Sequence, residues 1–464
     1  MLTLWGNSQR YSRYVSRRDF IKIGAAGSAM GLADMLRLQA QATPPGASPT
    51  GSINKSVIMV YLLGGPGPID TYDMKLDAPA EFRGEFKPIK TNVSGIEISE
   101  LFPLQAKMMD KFSLIRSLSA TAPNNHSDSE VMTGRNEVAN ARFQHPCIGS
   151  VVSKLRGTSE GSVPQYVALR KMSFPTKTPL PQSLYYLNPA ALGGAHAPFL
   201  PTGEGMSDFD FAPAMNAQRL LDRMDLLSRF DRMRREVDAT GGMSALDTFQ
   251  GQAAEILTSR KLRDALDLSK EDKRTIERYS FDSKASSVNY GFADGYKTGT
   301  QLLLARRLIE AGVGFVEVAL GYWDTHGPAH VLGFPHLRDR LCPTLDQALT
   351  ALVEDLHQRG MEKDVVVIVW GEFGRSPKIN VAAGRDHWLP TMSALITGGG
   401  LKTGQVIGAT DARGENVADN PYKISNVLAT IYKTIGIDPA INFVNTSGRP
   451  TAILDDREPI RELL

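Results

Sequence analysis

"KSVIMVYLLGGPGPIDTYD", residues 55–73, begins as an unbroken apolar run and ends among carboxylates. Val57 to Leu63 is aliphatic apart from one tyrosine, and Gly64-Gly65-Pro66 stops it. A strand with one wet face alternates apolar and polar residues. A strand apolar at every position is covered on both faces, which is the pattern of a parallel sheet between helical layers. Five later stretches read the same way: "FSLIRSLS" (112–119), "PQYVALR" (164–170), "GFVEVAL" (314–320), "DVVVIVWGE" (364–372) and "MSALITGGG" (392–400). Helical spacings alternate with them. The clearest, over 337–357, sets Leu337, Leu341, Leu345, Leu349, Leu352 and Leu356 along one face. Strands alternating with helices predict an α/β chain with a mainly parallel central sheet.

The remaining composition narrows the function. The chain has 464 residues, 42% hydrophobic and 22% charged, an ordinary globular balance. A net charge of +2 gives no electrostatic footprint for nucleic acid, so that partner is not expected. Cys147 and Cys342 make neither a metal motif nor a disulfide framework; a single bridge between them is left open.

Arg17-Arg18 is followed by Phe20, Lys22 and a mildly apolar stretch from Ile21 to Leu32, and then by Ala40-Gln41-Ala42. This is the layout of a twin-arginine signal over 1–42, with the mature chain starting near Thr43. Residues 43–54, "TPPGASPTGSIN", read as a linker, and 55–464 as the folded body. Within the body, 215–290 is charged and helical and reads as an insertion. Nothing after residue 50 is long and apolar enough to span a membrane. The expected location is periplasmic or secreted. The twin-arginine export machinery, the partner implied, carries folded cargo and suits a protein loaded with a cofactor before export.

In open α/β sheets ligands bind beyond the carboxyl ends of the strands. Asp70, Thr71 and Asp73 follow the first run. Asn124, Asn125, His126, Ser127 and Asp128 follow the second. Asp324, His326 and His330 follow 314–320, and Glu372 and Arg375 follow 364–370. Asp386 and His387 stand just before 392–398. Imidazole with carboxylate suits zinc, manganese or iron. His145, His196, His336 and His357 read as structural or surface residues. "GGPGP" is not a dinucleotide fingerprint, which argues against an oxidoreductase.

The succession "VIMVYLLGGPGPIDTYDMK", "NNHSDSEVMTGR", "FVEVALGYWDTHG", "VVVIVWGEFGRSPKIN", "GRDHW" and "GGGLKTGQVIGATD" resembles an exported bacterial family, domain of unknown function 1501, over nearly the whole chain after the signal. That family is similar to the alkaline phosphatase and sulfatase superfamily. The resemblance implies an alkaline-phosphatase-like α/β/α sandwich with one or two metals at the strand ends. It implies Asp70, Asp324, His326 (or His330), Glu372 and His387 as ligands of a divalent ion: zinc, calcium or manganese. His126 would orient the attacking group or protonate the leaving oxygen, and Arg375 would hold the anion. The superfamily nucleophile position, counted back from Met132-Thr133-Gly134, falls on Asn124, and its arginine position on Asp128. An amide is not a nucleophile. Ser127 serves if the register shifts, Thr71 offers another hydroxyl, and metal-bound hydroxide needs neither. The expected function is an exported metal-dependent hydrolase of sulfate or phosphate esters, acting on an anionic ester or sulfated polysaccharide. The alternative is a non-catalytic protein that binds an anion or a sulfated glycan on the same fold.

Overall fold

The computed structural model describes residues 55–121, 126–136, 138–140, 145–157, 163–170, 185–201, 259–281, 298–327, 333–445 and 447–464. The expected signal and linker, Asn124, His330, and residues 215–258 and 282–290 of the expected insertion lie outside the described residues. The described residues fall within one compact unit made of Ser48–Leu220 and Gly251–Leu464.

All six apolar stretches are strands: β1 Ser56–Leu62, β2 Ser113–Ser119, β3 Tyr166–Leu169, β4 Phe315–Leu320, β5 Val365–Trp370 and β6 Met392–Gly398. Two short strands, β7 Gln405–Ile407 and β8 Tyr422–Lys423, complete the sheet. The order is β7-β2-β6-β5-β1-β4-β3, with β8 also pairing β2. Every pairing is parallel except those of β6, which runs against both β5 and β2. Register sets the rim. Leu62 stands level with Leu320, and Tyr61 with Trp370, so β1, β4 and β5 release their chains side by side.

Alternate residues of β1 enter different cores, as a strand apolar on both faces requires. Ile58, Val60 and Leu62 face the layer of α2 Arg260–Leu266, α3 Lys273–Tyr279, α4 Thr298–Glu310 and α5 Cys342–Gln358. Val57, Met59 and Tyr61 face α1 Ile148–Arg156 and α6 Ile424–Thr434. This is the α/β/α sandwich. Each fully buried aliphatic side chain contributes about 1.5–3 kcal/mol, so the sheet's interior is the main source of stability. The leucine stripe of 337–357 is buried throughout, although Leu337–Leu341 is a π turn that leads into α5. Pro343 has no N–H for the Asp339 carbonyl, and the turn before it widens. The described part of the expected insertion, 259–281, sits in the first core layer through Leu262 and Tyr279. Both cysteines are free and buried, so the open question of a bridge closes without one. No helix among the described residues is long and apolar enough to cross a membrane.

Candidate metal centre

The chain leaving β1 turns at Gly64, whose φ of +109° suits glycine alone. A Cβ there would lie 2.4 Å from the Asp324 backbone nitrogen. The close approach lets Gly64 N–H donate to Glu372 Oε1 at 3.0 Å, beyond β5. The chain leaving β4 is anchored by buried Trp323, whose N–H donates to the Leu63 carbonyl at 2.7 Å, and then turns tightly through Asp324, Thr325 and His326. His126 follows β2 and precedes the short helix Ser129–Thr133. His387 reaches the rim differently. Because β6 is reversed, its starting end lies where its neighbours finish. Just before it, His387–Trp388 pairs with Gly374–Arg375 in a two-stranded ribbon. The Asn380 amide donates to the His326 carbonyl at 2.9 Å, and Gly384 packs where a Cβ would meet His326 backbone at 2.1 Å.

Four side chains converge there. One ligand atom each from His126, Asp324, His326 and His387 lies within 4.8 Å of all the others. His326 Nε2 is 2.8 Å and His387 Nε2 3.5 Å from Asp324 Oδ1. The two imidazole nitrogens are 3.0 Å apart. His126 Nε2 is 3.3 Å from Asp324 Oδ2. Donors held at about 2.0–2.2 Å from one tetrahedral ion stand roughly 3.3–3.6 Å apart, close to this spacing. Three imidazoles and a carboxylate therefore suit a zinc-like ion in number and chemistry, and separations of 2.8–3.5 Å bracket the lower part of that spacing. The side chains remain 12–34% exposed, so the cluster is open to solvent.

Arg375 is 1% exposed and faces inward. It donates to the carbonyls of Gly65 (3.0 Å), Arg385 (3.2 Å) and Gly64, and to Asp324 Oδ1 (2.6 Å). Burial opposes the charge on Asp324, but His126, His387 and Arg375 outweigh it and hold the carboxyl well below its usual range. Burial likewise opposes charge on His126. The carboxylates of Asp324 and Glu372 overcome it and raise this imidazole to about 9. His326 is lowered, by burial first, with Arg375 and His387 opposing the pull of Asp324.

Of the residues expected at the site, Asp324, His326 and His387 come together. His126 joins them with a donor nitrogen, although sequence reasoning gave it a part in the attack or in protonating the leaving oxygen. Its place after β2 on the shared rim was the available signal. Glu372 stands one residue behind, with Oε1 at 2.8 Å from His126 Nδ1. Asp70 is elsewhere: both its oxygens take N–H groups of Arg385, at 2.7 and 2.9 Å, in a buried pair. Arg375 does not point an open guanidinium at a substrate, because four of its contacts are internal. Ser127 is buried, and its Oγ accepts the Ser129 N–H at 3.4 Å and makes no hydrogen bond to the cluster. Arg385 was missed, although it adjoins Asp386-His387 in "GRDHW".

Fold and site together define a three-layer α/β protein with a metal-competent cluster at the carboxyl edge of its sheet. The chain belongs to the family described as protein of unknown function (DUF1501), which matches residues 54–464. Among solved structures it is similar to a phosphonate monoester hydrolase from Silicibacter pomeroyi (11% identity, 83% of this chain and 74% of that one, TM-score 0.37). It is also similar to a lipoteichoic acid synthase from Listeria monocytogenes (10%, 88% and 76%, TM-score 0.36). A third is a sulfatase from Pseudoalteromonas sp. (11%, 91% and 72%, TM-score 0.31). No curated protein matches the chain. What the site can do is set by its own donor atoms.

Proposed function

We propose that the protein is an exported, metal-dependent hydrolase of sulfate or phosphate esters. The observation that carries this reading is the convergence of His126, Asp324, His326 and His387 from separate segments onto one solvent-open point of the strand-end rim. The donor set favours zinc or manganese over calcium, which takes six to eight oxygen ligands. A divalent ion there would offset charge on an ester's oxygens and acidify water. The chain's own residues prepare the place. Arg375 keeps Asp324 charged and oriented. The ring of Phe373, 4.4 Å from His387 and 5.5 Å from His126 between centroids, gives the cluster an apolar wall. The ester class rests on the sequence resemblance.

One observation favours the second reading, a non-catalytic protein that binds an anion or sulfated glycan. Four protein donors complete a tetrahedral shell, and catalytic zinc sites normally keep one place open. Metal content of protein purified without chelator, followed by hydrolysis of aryl sulfate and aryl phosphate esters, separates the readings. Bound metal with turnover supports the hydrolase. Bound metal with tight sulfated-glycan binding and no turnover supports the second. Metal-free protein inactive on both esters, even after zinc or manganese is added, sinks the first. The export part rests on Arg17-Arg18. Changing both to lysine is expected to trap the precursor inside, and mature protein outside would refute that route.

A further inference from the structure

We infer that Glu372 is a positioning residue, which fixes His126 so that its Nε2 lone pair faces the ion; this rests on the metal-dependent reading above. Glu372 is 1% exposed. Its Oε1 lies 2.8 Å from His126 Nδ1 and 3.0 Å from Gly64 N, and Oε2 is 3.2 Å from the same Gly64 nitrogen. An ionised carboxylate only accepts hydrogen bonds, so the ring nitrogen facing it carries the proton. The other nitrogen, Nε2, is turned toward Asp324 Oδ2 at 3.3 Å; it too faces a carboxylate, so an ion entering the cluster displaces its proton while the Nδ1 proton stays, held by Glu372. A carboxylate behind a metal-binding imidazole sets the tautomer, the ring orientation and the basicity of the ligand.

The support is a closed circuit. Gly64 touches the Asp324 backbone so closely that no Cβ fits. The same Gly64 donates its N–H to Glu372, Glu372 holds His126, and His126 faces Asp324. Two ligands far apart in sequence are thus set against each other through one glycine and one carboxylate. His326 has a weaker counterpart: its Nδ1 is 3.4 Å from Asp386, whose side chain is 62% exposed. Loss of Asp386 is therefore expected to matter less than loss of Glu372.

The test is zinc titration of the mature protein, read by competition with a chromophoric chelator. Glu372→Leu should weaken zinc roughly 10–100-fold. Glu372→Gln, which keeps a carbonyl oxygen for Nδ1–H, should weaken it only severalfold, and Asp386→Asn less still. In a His126→Ala background, Glu372→Gln should have no further effect, since the residue acts through the ring now missing. In zinc-loaded protein the slowly exchanging Nδ1–H resonance of His126 should persist in the wild type and Glu372→Gln and vanish in Glu372→Leu. If Glu372→Leu does not fold, the near-isosteric Gln variant and the double-variant comparison still decide. Zinc affinity unchanged by either Glu372 substitution overturns the inference. So does an equal loss with and without His126, which would make Glu372 a ligand or a general support. A wild type that takes up no zinc, manganese or cobalt refutes the metal-dependent reading itself and takes this inference with it, a result distinct from either.

Discussion

Asp70 and Arg385 close on each other as a two-point ion pair: Nε reaches Oδ2 at 2.7 Å and a terminal nitrogen reaches Oδ1 at 2.9 Å, with both side chains 1% exposed. The remaining N–H groups of Arg385 go to the carbonyls of Phe82, Ser376 and Pro377. Arg385→Ala would leave a buried, uncompensated carboxylate, which costs about 3–5 kcal/mol. Denaturant unfolding should show that loss. Zinc stoichiometry of Asp70→Asn should match the wild type, because Asp70 lies outside the four-residue cluster. Loss of bound metal in Asp70→Asn with the fold intact would restore Asp70 as a ligand.

Gly64 is the second structural test. Its φ is +109°, and a Cβ added there would stand only 2.4 Å from Asp324 N, so alanine does not fit without backbone movement. Gly64→Ala should cost at least about 2 kcal/mol and weaken zinc binding along with stability, since both Asp324 and Glu372 shift. An alanine variant with unchanged thermal midpoint and zinc affinity would refute this account of the turn.

His336 gives a pH dependence away from the site. Burial first, and Arg340 next, lower its imidazole to about 4 despite Asp339. The unfolded value is about 6.5, so between these values the unfolded chain binds the extra proton. Stability from this group is full above pH 6.5 and is lost as pH falls through 4, by roughly 3 kcal/mol over the window. His336→Gln should flatten the stability profile between pH 4 and 6.5 by up to about 1.4 kcal/mol per pH unit. Parallel wild-type and variant profiles there would contradict the assignment.

The layers were legible because β1, β4 and β5 are apolar at nearly every position, and only a sheet covered on both faces uses such strands. The direction of β6 was not legible: "MSALITG" reads as a buried strand whichever way it runs, and its reversal is fixed by pairing with β5 and β2. That reversal brings His387 to the rim. Asp324 and His326 stood out because a tight turn after a buried strand has little structural need for both. Asp70 misled for a physical reason. A buried carboxylate needs a cation, and nothing in the local sequence tells a metal ion from an arginine 315 positions away. His126 was read as orienting the attacking group or protonating the leaving oxygen, because its neighbourhood was read for a nucleophile. The pairing of its Nδ1 with Glu372, across 246 positions, leaves Nε2 for the cluster.

The last prediction concerns which side chains the reaction needs. Ser127 is the hydroxyl beside His126, but it is buried and its Oγ accepts the Ser129 N–H at 3.4 Å, within its own turn. Ser127→Ala removes one long hydrogen bond of a neutral group, worth about 1 kcal/mol or less to stability, and touches none of the four donors. Metal content and ester hydrolysis should stay within about twofold of wild type. His126→Ala, Asp324→Asn and His387→Ala each remove or weaken one of four donors. Asp324→Asn also discards the negative charge that Arg375, His326 and His387 all share. These three variants should lose metal and turnover together, and excess zinc should partly restore His126→Ala, whose three remaining donors still form a site. The measurement is bound metal per chain alongside hydrolysis of aryl sulfate and phosphate esters. Loss of turnover in Ser127→Ala with full metal content would identify the serine as the nucleophile. Full turnover in metal-free Asp324→Asn would show that the cluster serves something other than hydrolysis.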